Sequence, residues 1–245
     1  MILGTGTNAA YLESLSRIPK WKGSRSSPEM AINMEWGGFG SGNDVHAFSL
    51  LPFHSVDHEL DAASPNPSKQ RFEKMISGMY LGEITRRLFV GLSARGALFH
   101  SSSSLRSPAP AFNTPGSFTT AHMSDIAEDT SSDLARVGAV LESSLGLSDV
   151  SLEYRKIAQE LCALVARRAA YLAAAGVAAV LTQIHSAAGS ITPGIGSPTP
   201  GVAIDGSVYK KYPGFSAWMR EALNKLGISC DLTHAEDGSG IVRTT

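Results

Sequence analysis

The sequence predicts a protein of the α/β class. Short apolar segments typical of strands alternate along the chain with longer segments in which apolar residues recur every three or four positions. Turns rich in Gly, Ser and Thr accompany the strand-like segments. With 245 residues, 43% of them hydrophobic and 18% charged, the chain is long enough to bury a substantial core.

The first 40 residues are predicted to form strands and turns. Residues 1–3 are apolar and run into a Gly/Thr turn at 4–8. Segments 9–13 and 31–36 are short and apolar, as strands are, and the Gly-rich stretch 37–43 is expected to be a loop.

Helical spacing begins at Ser68. Apolar residues from Phe72 to Ile84 recur at three- and four-residue intervals, which predicts one amphipathic helix. Residues 100–128 are rich in Ser, Thr and Pro without a sustained period, so we expect a long surface loop there.

Two further helices are predicted in the middle of the chain. The first is capped by the polar residues 131–133 and ends at Gly146. The second covers 152–183 and is expected to break at Gly176, within a run of small side chains that allows close packing.

The last third is predicted to return to alternating elements. A Gly/Pro/Ser-rich connector at 186–200 leads to a strand at 201–204 and a turn at 205–207. A helix at 213–226 and a strand at 228–233 follow. No internal repeat is visible in the sequence.

Composition excludes several classes of partner. The formal net charge is −1 and no Lys/Arg cluster occurs, which argues against nucleic acid or an anionic membrane surface as partners. The apolar stretch 169–181 is too short to span a bilayer and predicts a buried helix, and residues 1–6 do not resemble a signal peptide. Cys162 and Cys230 cannot make a disulfide framework, so we expect an intracellular, most simply cytoplasmic, protein.

Two Gly-rich turns are candidates for phosphate binding. Residues 4–8 (GTGTN) follow a strand, and residues 237–240 (DGSG) form a second such turn; backbone N–H groups and hydroxyls there could surround phosphate oxygens. Neither turn has the lysine of a P-loop, and such turns by themselves are more often plain turns than phosphate sites.

Carboxylates beside apolar residues are candidates for sugar binding. Glu35 and Glu73 lie among apolar neighbours, where a charge needs a partner, and sugar hydroxyls are suitable ones. A salt bridge or an exposed position is the simpler alternative for each. The helically spaced His54, Asp57, His58 and Asp61 could imitate a metal site, but we interpret the run as a solvated helix face and expect no metal ligands.

Several of these segments resemble hexokinases, most closely those of plants. Residues 2–11 (ILGTGTNAAY) resemble the second phosphate motif of that family. Residues 32–37 (INMEWG) and 72–83 (FEKMISGMYLGE) resemble its sugar-binding segments, and 203–209 (AIDGSVY) with 236–240 (EDGSG) resemble its adenosine-site segments. The matches occur in the family's order over nearly the whole chain.

The resemblance implies a fold and a reaction. The fold is the large lobe of the actin-like ATPase (ribonuclease H-like) architecture, a mixed sheet flanked by helices, incomplete at both ends and forming one domain over 1–245. The implied reaction transfers the γ-phosphoryl group of ATP, with Mg²⁺, to the 6-hydroxyl of glucose or another hexose, the first step of glycolysis. Such transfer depends on positioning and charge neutralisation.

The resemblance also implies site residues. The implied sugar ligands are Asn8, Glu35 and Glu73. Nucleotide contacts are implied at the following positions: Gly4, Thr5, Gly6, Gly78, Gly238 and Ser239.

The catalytic base of the family belongs to a small lobe that precedes these segments, so we expect no catalytic residue in this chain. The hypotheses are therefore a hexokinase that is active only with that lobe, a non-catalytic sugar sensor or scaffold, and an incomplete sequence. Sugar preference, oligomeric state and organelle association stay open.

Overall fold

Six short strands form the sheet structure of this protein. A computed structural model describes residues 1–23, 26–100, 110–187 and 199–235. Within these ranges the strands are β1 (Ile2–Leu3), β2 (Thr7–Asn8), β3 (Ala10–Ser14), β4 (Glu29–Asn33), β5 (Gly201–Ile204) and β6 (Asp231–His234). β1 pairs with β2 and β3 pairs with β4, both antiparallel, whereas β5 and β6 are parallel.

These pairs line up as one mixed sheet. Only Ala9 separates β2 from β3, and a parallel bridge between Ile2 and Asp205 joins β1 to the end of β5. The Leu3 N–H donates to the Asp205 carbonyl at 2.7 Å. The lateral order is therefore β4, β3 with β2, β1, β5, β6, which confirms the predicted mixed sheet.

Ten α-helices surround this sheet in the described residues. They are α1 (Val45–Ser49), α2 (Ser55–Ala63), α3 (Arg71–Ile76), α4 (Leu81–Ala94), α5 (Pro110–Asn113), α6 (Thr120–Ala127), α7 (Ala135–Leu145), α8 (Leu152–Ala187), α9 (Ser207–Lys211) and α10 (Phe215–Lys225). The C-terminal glycine of α7, Gly146, has the left-handed conformation (φ 69°) that the sequence predicted for a helix end. The short helix α9 was not predicted.

The long helix α8 is the centre of the core. It continues without interruption through Gly176, so the predicted break there is wrong. A Cβ at Gly176 would lie 2.8 Å from the Trp36 ring, which shows that the glycine makes room for this side chain. Ala169, Ala173 and Ala174 are fully buried, as predicted for this segment.

By length and composition α8 could also cross a membrane. Residues Leu152–His185 are long and apolar enough to span a bilayer, and half of the most apolar 18-residue stretch is buried inside the protein. Core helices of globular proteins pass the same test, so this property alone does not assign the helix to a bilayer.

The helix predicted from Phe72 to Ile84 is divided in two. α3 ends at Ile76, Ser77 is extended (ψ 152°), and α4 begins at Leu81. The backbone between these helices forms hydrogen bonds to another segment. The N–H groups of Gly78 and Met79 donate to carbonyls of the β1–β2 turn. Tertiary hydrogen bonds thus override a helical sequence pattern.

The predicted surface loop at 100–128 is wrong for residues 110–127. Helices α5 and α6 lie there, and Phe112, Phe118 and Met123 are buried in the core. Phe118 meets Phe89 edge to face, with ring centroids 5.5 Å apart. Residues 101–109 lie outside the described part of the chain, as do residues 188–198 of the predicted connector.

Two carboxylates of α2, those of Asp57 and Asp61, are buried rather than solvated. Asp57 is only 2% exposed and receives two hydrogen bonds of 2.7 Å from Arg168, and Asp61 lies 2.6 Å from the buried ammonium of Lys74. The sequence interpretation of a solvated helix face is therefore wrong for Asp57 and Asp61, whereas His54 and His58 are exposed. Each carboxylate has a cationic partner, as burial of a charge requires.

Candidate functional site

The turn between β1 and β2 is anchored to the junction between α3 and α4. The Gly4 carbonyl accepts the Gly78 N–H at 2.7 Å, and the Thr5 carbonyl accepts the Met79 N–H at 3.2 Å. A further bond across the turn joins the Gly4 N–H to the Gly6 carbonyl at 3.0 Å. Two segments that the sequence analysis singled out are thereby held together, with the Thr5 side chain exposed.

Close backbone approach explains two of the glycines here. A Cβ on Gly78 would lie 2.7 Å from Val208 and 2.9 Å from the Gly4 carbonyl oxygen. Gly206 has φ 130°, and a Cβ there would lie 2.2 Å from the Leu3 carbonyl oxygen. The 205–207 turn and the α3–α4 junction therefore both pack directly on the β1–β2 hairpin.

A cavity of about 490 Å³ opens beside this junction. It is lined by Thr5 and Gly78, two of the predicted nucleotide contacts. Of the other two in this turn, Gly4 is buried and absent from the lining, and Gly6 faces Glu73. The remaining lining is Met79, Glu83, Gly116, Phe118, Thr119, Thr120, Ala121, Ser124, Ser207, Val208 and Lys211. The predicted contacts Gly238 and Ser239 lie outside the described residues.

The cavity presents a single cation among its described lining residues. Lys211 is exposed and makes no ion pair in the described part of the chain. The carboxylate in the lining, Glu83, is bound by Arg86 at 2.6 Å and Arg87 at 2.8 Å. Partial burial acts to raise the Glu83 pKa, but hydrogen bonds from Arg86 and the Gly116 N–H outweigh it and hold this pKa below its ordinary value.

Hydroxyl groups complete the lining. The Thr120 hydroxyl donates to the Gly78 carbonyl at 2.7 Å, which ties α6 to the glycine junction. Thr119, Thr120 and Ser124 were not predicted, because their Ser/Thr-rich segment was expected to be a surface loop. Hydroxyls and one unpaired ammonium suit a polyanionic ligand.

A cluster of polar side chains lies on the other side of the hairpin. The Asn8 amide donates to Asn33 Oδ1 at 2.7 Å and to Glu35 Oε1 at 3.3 Å, and the Asn33 amide donates to the same Glu35 oxygen at 2.6 Å. Glu35 has a left-handed backbone (φ 47°), unusual for a residue with a side chain. Asn33 was not predicted; its place two residues before Glu35 is the signal that could have found it.

Glu73 joins this cluster through Thr7. The Thr7 N–H donates to Glu73 Oε2 at 3.1 Å, and a Cβ on Gly6 would lie 2.8 Å from the same oxygen. Of the predicted sugar ligands, Asn8 and Glu35 are therefore in direct contact and Glu73 is one residue away along β2. We refer to Asn8, Asn33, Glu35 and Glu73 as the polar cluster.

In the residues that the structure describes, no three His, Cys, Asp or Glu side chains converge as metal ligands would. Any divalent cation at the cavity would therefore depend on oxygens of a bound phosphate as well as on hydroxyls such as those of Thr5 and Ser207.

Comparison with known proteins identifies similar sequences. A family model described as hexokinase matches residues 1–241. Hexokinase-1 of Nicotiana tabacum is 42% identical over 248 residues, which cover 98% of this chain and 47% of that protein. Hexokinase-1 of Arabidopsis thaliana is 41% identical over 249 residues, with the same coverage of each chain.

Solved structures agree with these sequence matches. A hexokinase from Schistosoma mansoni complexed with glucose superposes with a TM-score of 0.79 at 32% identity, covering 98% of this chain and 50% of that one. A second hexokinase structure gives a TM-score of 0.74 at 28% identity, covering 97% and 46%. The chain spans about half the length of the curated relatives that it matches.

Proposed function

Because the chain belongs to the hexokinase family, we propose that it forms the hexose-binding and nucleotide-binding surface of an ATP-dependent hexose kinase. The transfer would take the γ-phosphoryl group of ATP to the 6-hydroxyl of glucose or a similar hexose. The observation that carries this proposal is the β1–β2 hairpin, which contributes Thr5 to the large cavity and Asn8 to the polar cluster.

The polar cluster supports the hexose side of the proposal. It combines carboxylate oxygens, which accept hydrogen bonds from hydroxyls, with amide groups, which donate to them. Glu35 and its two asparagine partners are exposed or half-buried, so a sugar can reach them. The similar protein from Schistosoma mansoni was solved with glucose.

The cavity supports the nucleotide side. Its volume of about 490 Å³ lies within the range of small-molecule sites, and Lys211 supplies a positive charge for phosphate oxygens. The hydroxyls of Thr5 and Ser207 supply further donors. Mg²⁺, bound to the phosphates of ATP, would neutralise charge during transfer.

The base that accepts the proton of the attacking hydroxyl is proposed to come from polypeptide outside these 245 residues. Within the described part of the chain, the carboxylates of the polar cluster are already engaged: Glu35 by Asn33 and Glu73 by the Thr7 N–H. On this proposal the chain by itself binds hexose weakly and does not turn over ATP.

A titration of the purified chain with glucose, followed by calorimetry, tests the hexose side. We expect saturable binding that Glu35→Gln weakens about tenfold or more, because a charge-assisted hydrogen bond is lost. The matched control is Glu29→Gln, an exposed glutamate on the same strand as Asn33. Absence of saturable binding at millimolar glucose, or equal losses in both variants, would contradict the proposal.

A coupled assay of ATP turnover separates the alternatives. Glucose binding without turnover would agree with a base supplied from elsewhere and equally with a sensor or scaffold, and adding the relatives' other half in trans would distinguish these two. Turnover by the chain alone would refute the proposed origin of the base.

The cellular setting is also proposed. Cys162 is buried and Cys230 is half-buried, and both are free thiols, which suits a reducing intracellular compartment. There the reaction would open hexose metabolism by glycolysis and take part in glucose homeostasis.

A further inference from the structure

A second large cavity, of about 380 Å³, lies between the start of α2 and helix α4 and borders the end of α5. It shares no lining residue with the cavity beside the β1–β2 turn and none with the polar cluster. Its lining includes Arg86, Arg87 and Arg95, and Glu59 is the only carboxylate among its described lining residues. Three positive charges thus face one negative charge, and we refer to this space as the arginine cavity.

Arg86 fixes the wall of the arginine cavity. Its side chain is only 5% exposed, and Nε and Nη2 donate to the Glu83 carboxylate at 2.8 and 2.6 Å. Nη1 donates to the Phe112 carbonyl at 2.9 Å, which ties α4 to α5. Because all three nitrogens are engaged, Arg86 shapes the cavity and leaves the binding of an anion to its neighbours.

Arg87 and Arg95 have unused donors. Arg87 Nε donates to Glu83 at 2.8 Å, but its two terminal nitrogens make no hydrogen bond in the described part of the chain. The exposed Glu59 carboxylate lies 3.8 Å from one of these nitrogens. Arg95 is exposed, and its side chain has neither a hydrogen bond nor an ion pair within the described residues. Such a guanidinium can bind two oxygens of one phosphate group.

Gly91 leaves the space between these two arginines open. Arg87, Gly91 and Arg95 follow one another at four-residue intervals and therefore lie on one side of α4, with the arginines about 12 Å apart along its axis. Nothing in the described structure lies within 4 Å of a Cβ placed on Gly91. Glycine is unfavourable inside a helix, and here its effect is to let both guanidinium groups reach one ligand above the helix.

The start of α2 adds backbone donors. Within the described residues, the N–H groups of Ser55 and Val56 have no acceptor, whereas those of the next two residues donate to the His54 carbonyl. Ser55 and Val56 both line the arginine cavity. Free N–H groups at a helix start bind phosphate oxygens, and the helix dipole favours negative charge there. The carboxylate of Asp57 in this turn is neutralised by Arg168 and does not cancel that effect.

The remaining lining of the arginine cavity is mainly apolar. It includes Leu88, Val90 and Leu92 of α4. The volume of about 380 Å³ lies within the range of small-molecule sites and is far larger than a phosphate ion requires. A ligand that fits both features carries a phosphate group and an apolar organic part.

We propose that the arginine cavity binds a small organic phosphate monoester. Its phosphate oxygens accept hydrogen bonds from the free nitrogens of Arg87 and Arg95 and from the N–H groups at the start of α2. Its organic part packs against Leu88 and Leu92. The site lies outside the proposed hexose and nucleotide sites, and this inference does not rest on the proposed function.

Nuclear magnetic resonance of the ¹⁵N-labelled chain tests this proposal, with phenyl phosphate as the probe. We expect saturable shifts of the Ser55 and Val56 amide signals at millimolar probe. Inorganic phosphate should bind about fivefold more weakly, because it buries no apolar surface. The Thr5 and Gly78 amides report on the nucleotide cavity, so binding there is recognised separately.

Two variants complete the test. Arg95→Gln should weaken phenyl phosphate binding about fivefold and lower its salt dependence, since one charged contact is lost. Lys69→Gln removes the same charge from an exposed residue outside the cavity lining and should leave binding unchanged. Unshifted Ser55 and Val56 amides at tens of millimolar probe, or equal losses in the two variants, would overturn the proposal. Equal affinity for inorganic phosphate would refute the organic part of the ligand.

Discussion

The indole Nε1 of Trp36 donates a hydrogen bond of 3.0 Å to the hydroxyl of Thr7. Both side chains are buried, and the Thr7 hydroxyl in turn donates to the Ile2 carbonyl at 3.0 Å. Through its hydrogen bond with Trp36, Thr7 connects the core to the polar cluster. Asn8 of that cluster follows Thr7 in sequence, and the Thr7 N–H donates to Glu73.

We expect this hydrogen bond to be measurable by a double-mutant cycle. Thr7→Val leaves the buried indole N–H without an acceptor and should lower the free energy of unfolding by about 2 kcal/mol. Trp36→Phe combined with Thr7→Val should cost less than the sum of the single changes, by about 1 kcal/mol, in urea denaturation. Strict additivity would show that the two groups do not interact in solution.

A substitution at Gly176 can show which effect is larger, the steric clash with Trp36 or the higher helix propensity of alanine. Alanine normally stabilises a helix interior relative to glycine by about 1 kcal/mol. At Gly176 the new Cβ would lie 2.8 Å from the Trp36 ring, so we expect Gly176→Ala to lower the midpoint of thermal unfolding. Gly91→Ala in α4, where nothing lies within 4 Å, is the matched control and should raise it. Stabilisation by both changes would place Trp36 elsewhere.

Removing one partner of the Asp57–Arg168 ion pair should destabilise the fold strongly. Asp57→Ala leaves the Arg168 guanidinium without its partner and is expected to cost about 3 kcal/mol of unfolding free energy. Replacing both residues, Asp57→Leu with Arg168→Met, should recover much of the loss. Arg136→Ala, which breaks exposed pairs with Asp125 and Glu128, should change stability little. A loss of similar size for Arg136→Ala would contradict this distinction.

The lowered pKa of Glu83 predicts a specific pH dependence of folding stability. Its pKa is lowered in the folded protein, so its ionised form stabilises the fold above the ordinary value of 4.5, and this contribution is lost as pH falls towards the lowered pKa. The stability difference between the native chain and Glu83→Gln should therefore be constant near neutral pH and shrink below about pH 4.5. Denaturation series at several pH values measure it, and a difference that does not change with pH would exclude this role for Glu83.

Lys211 should affect nucleotide binding and not hexose binding. Lys211→Gln is expected to weaken ATP binding about fivefold, with a smaller dependence on salt, since one phosphate contact is lost. Lys210→Gln, a neighbouring change outside the cavity lining, serves as the control. Equal effects of the two changes on ATP affinity, or an effect of Lys211→Gln on glucose affinity, would argue against a direct phosphate contact.

Local patterns predicted part of this fold correctly. The strand at 201–204 and the helix end at Gly146 follow from short-range signals and are confirmed. The division between α3 and α4 could not be predicted, because the segment from Phe72 to Ile84 has helical spacing and its interruption comes from bonds to the Gly4 and Thr5 carbonyls.

Parts of the site could not be predicted for the same reason, because contacts between residues distant in sequence determine them. Asp57 has the spacing of a surface helix, and its partner Arg168 is 111 residues away in sequence. Asn8 and Glu35 were predicted from family resemblance, and the structure brings them into contact. Thr120 and Ser124 were missed because a Ser/Thr-rich composition hides a short helix whose capping group, the Thr119 hydroxyl, accepts the His122 N–H.

The bridge between Ile2 and Asp205 constrains when this protein can fold during its synthesis. The first strand leaves the ribosome long before its neighbour β5 exists. At about 5 to 20 residues per second, roughly 10 to 40 seconds pass before residue 205 has been added. Throughout that interval one edge of the first hairpin lacks its partner strand and can pair with other chains, which is an aggregation hazard for the nascent protein.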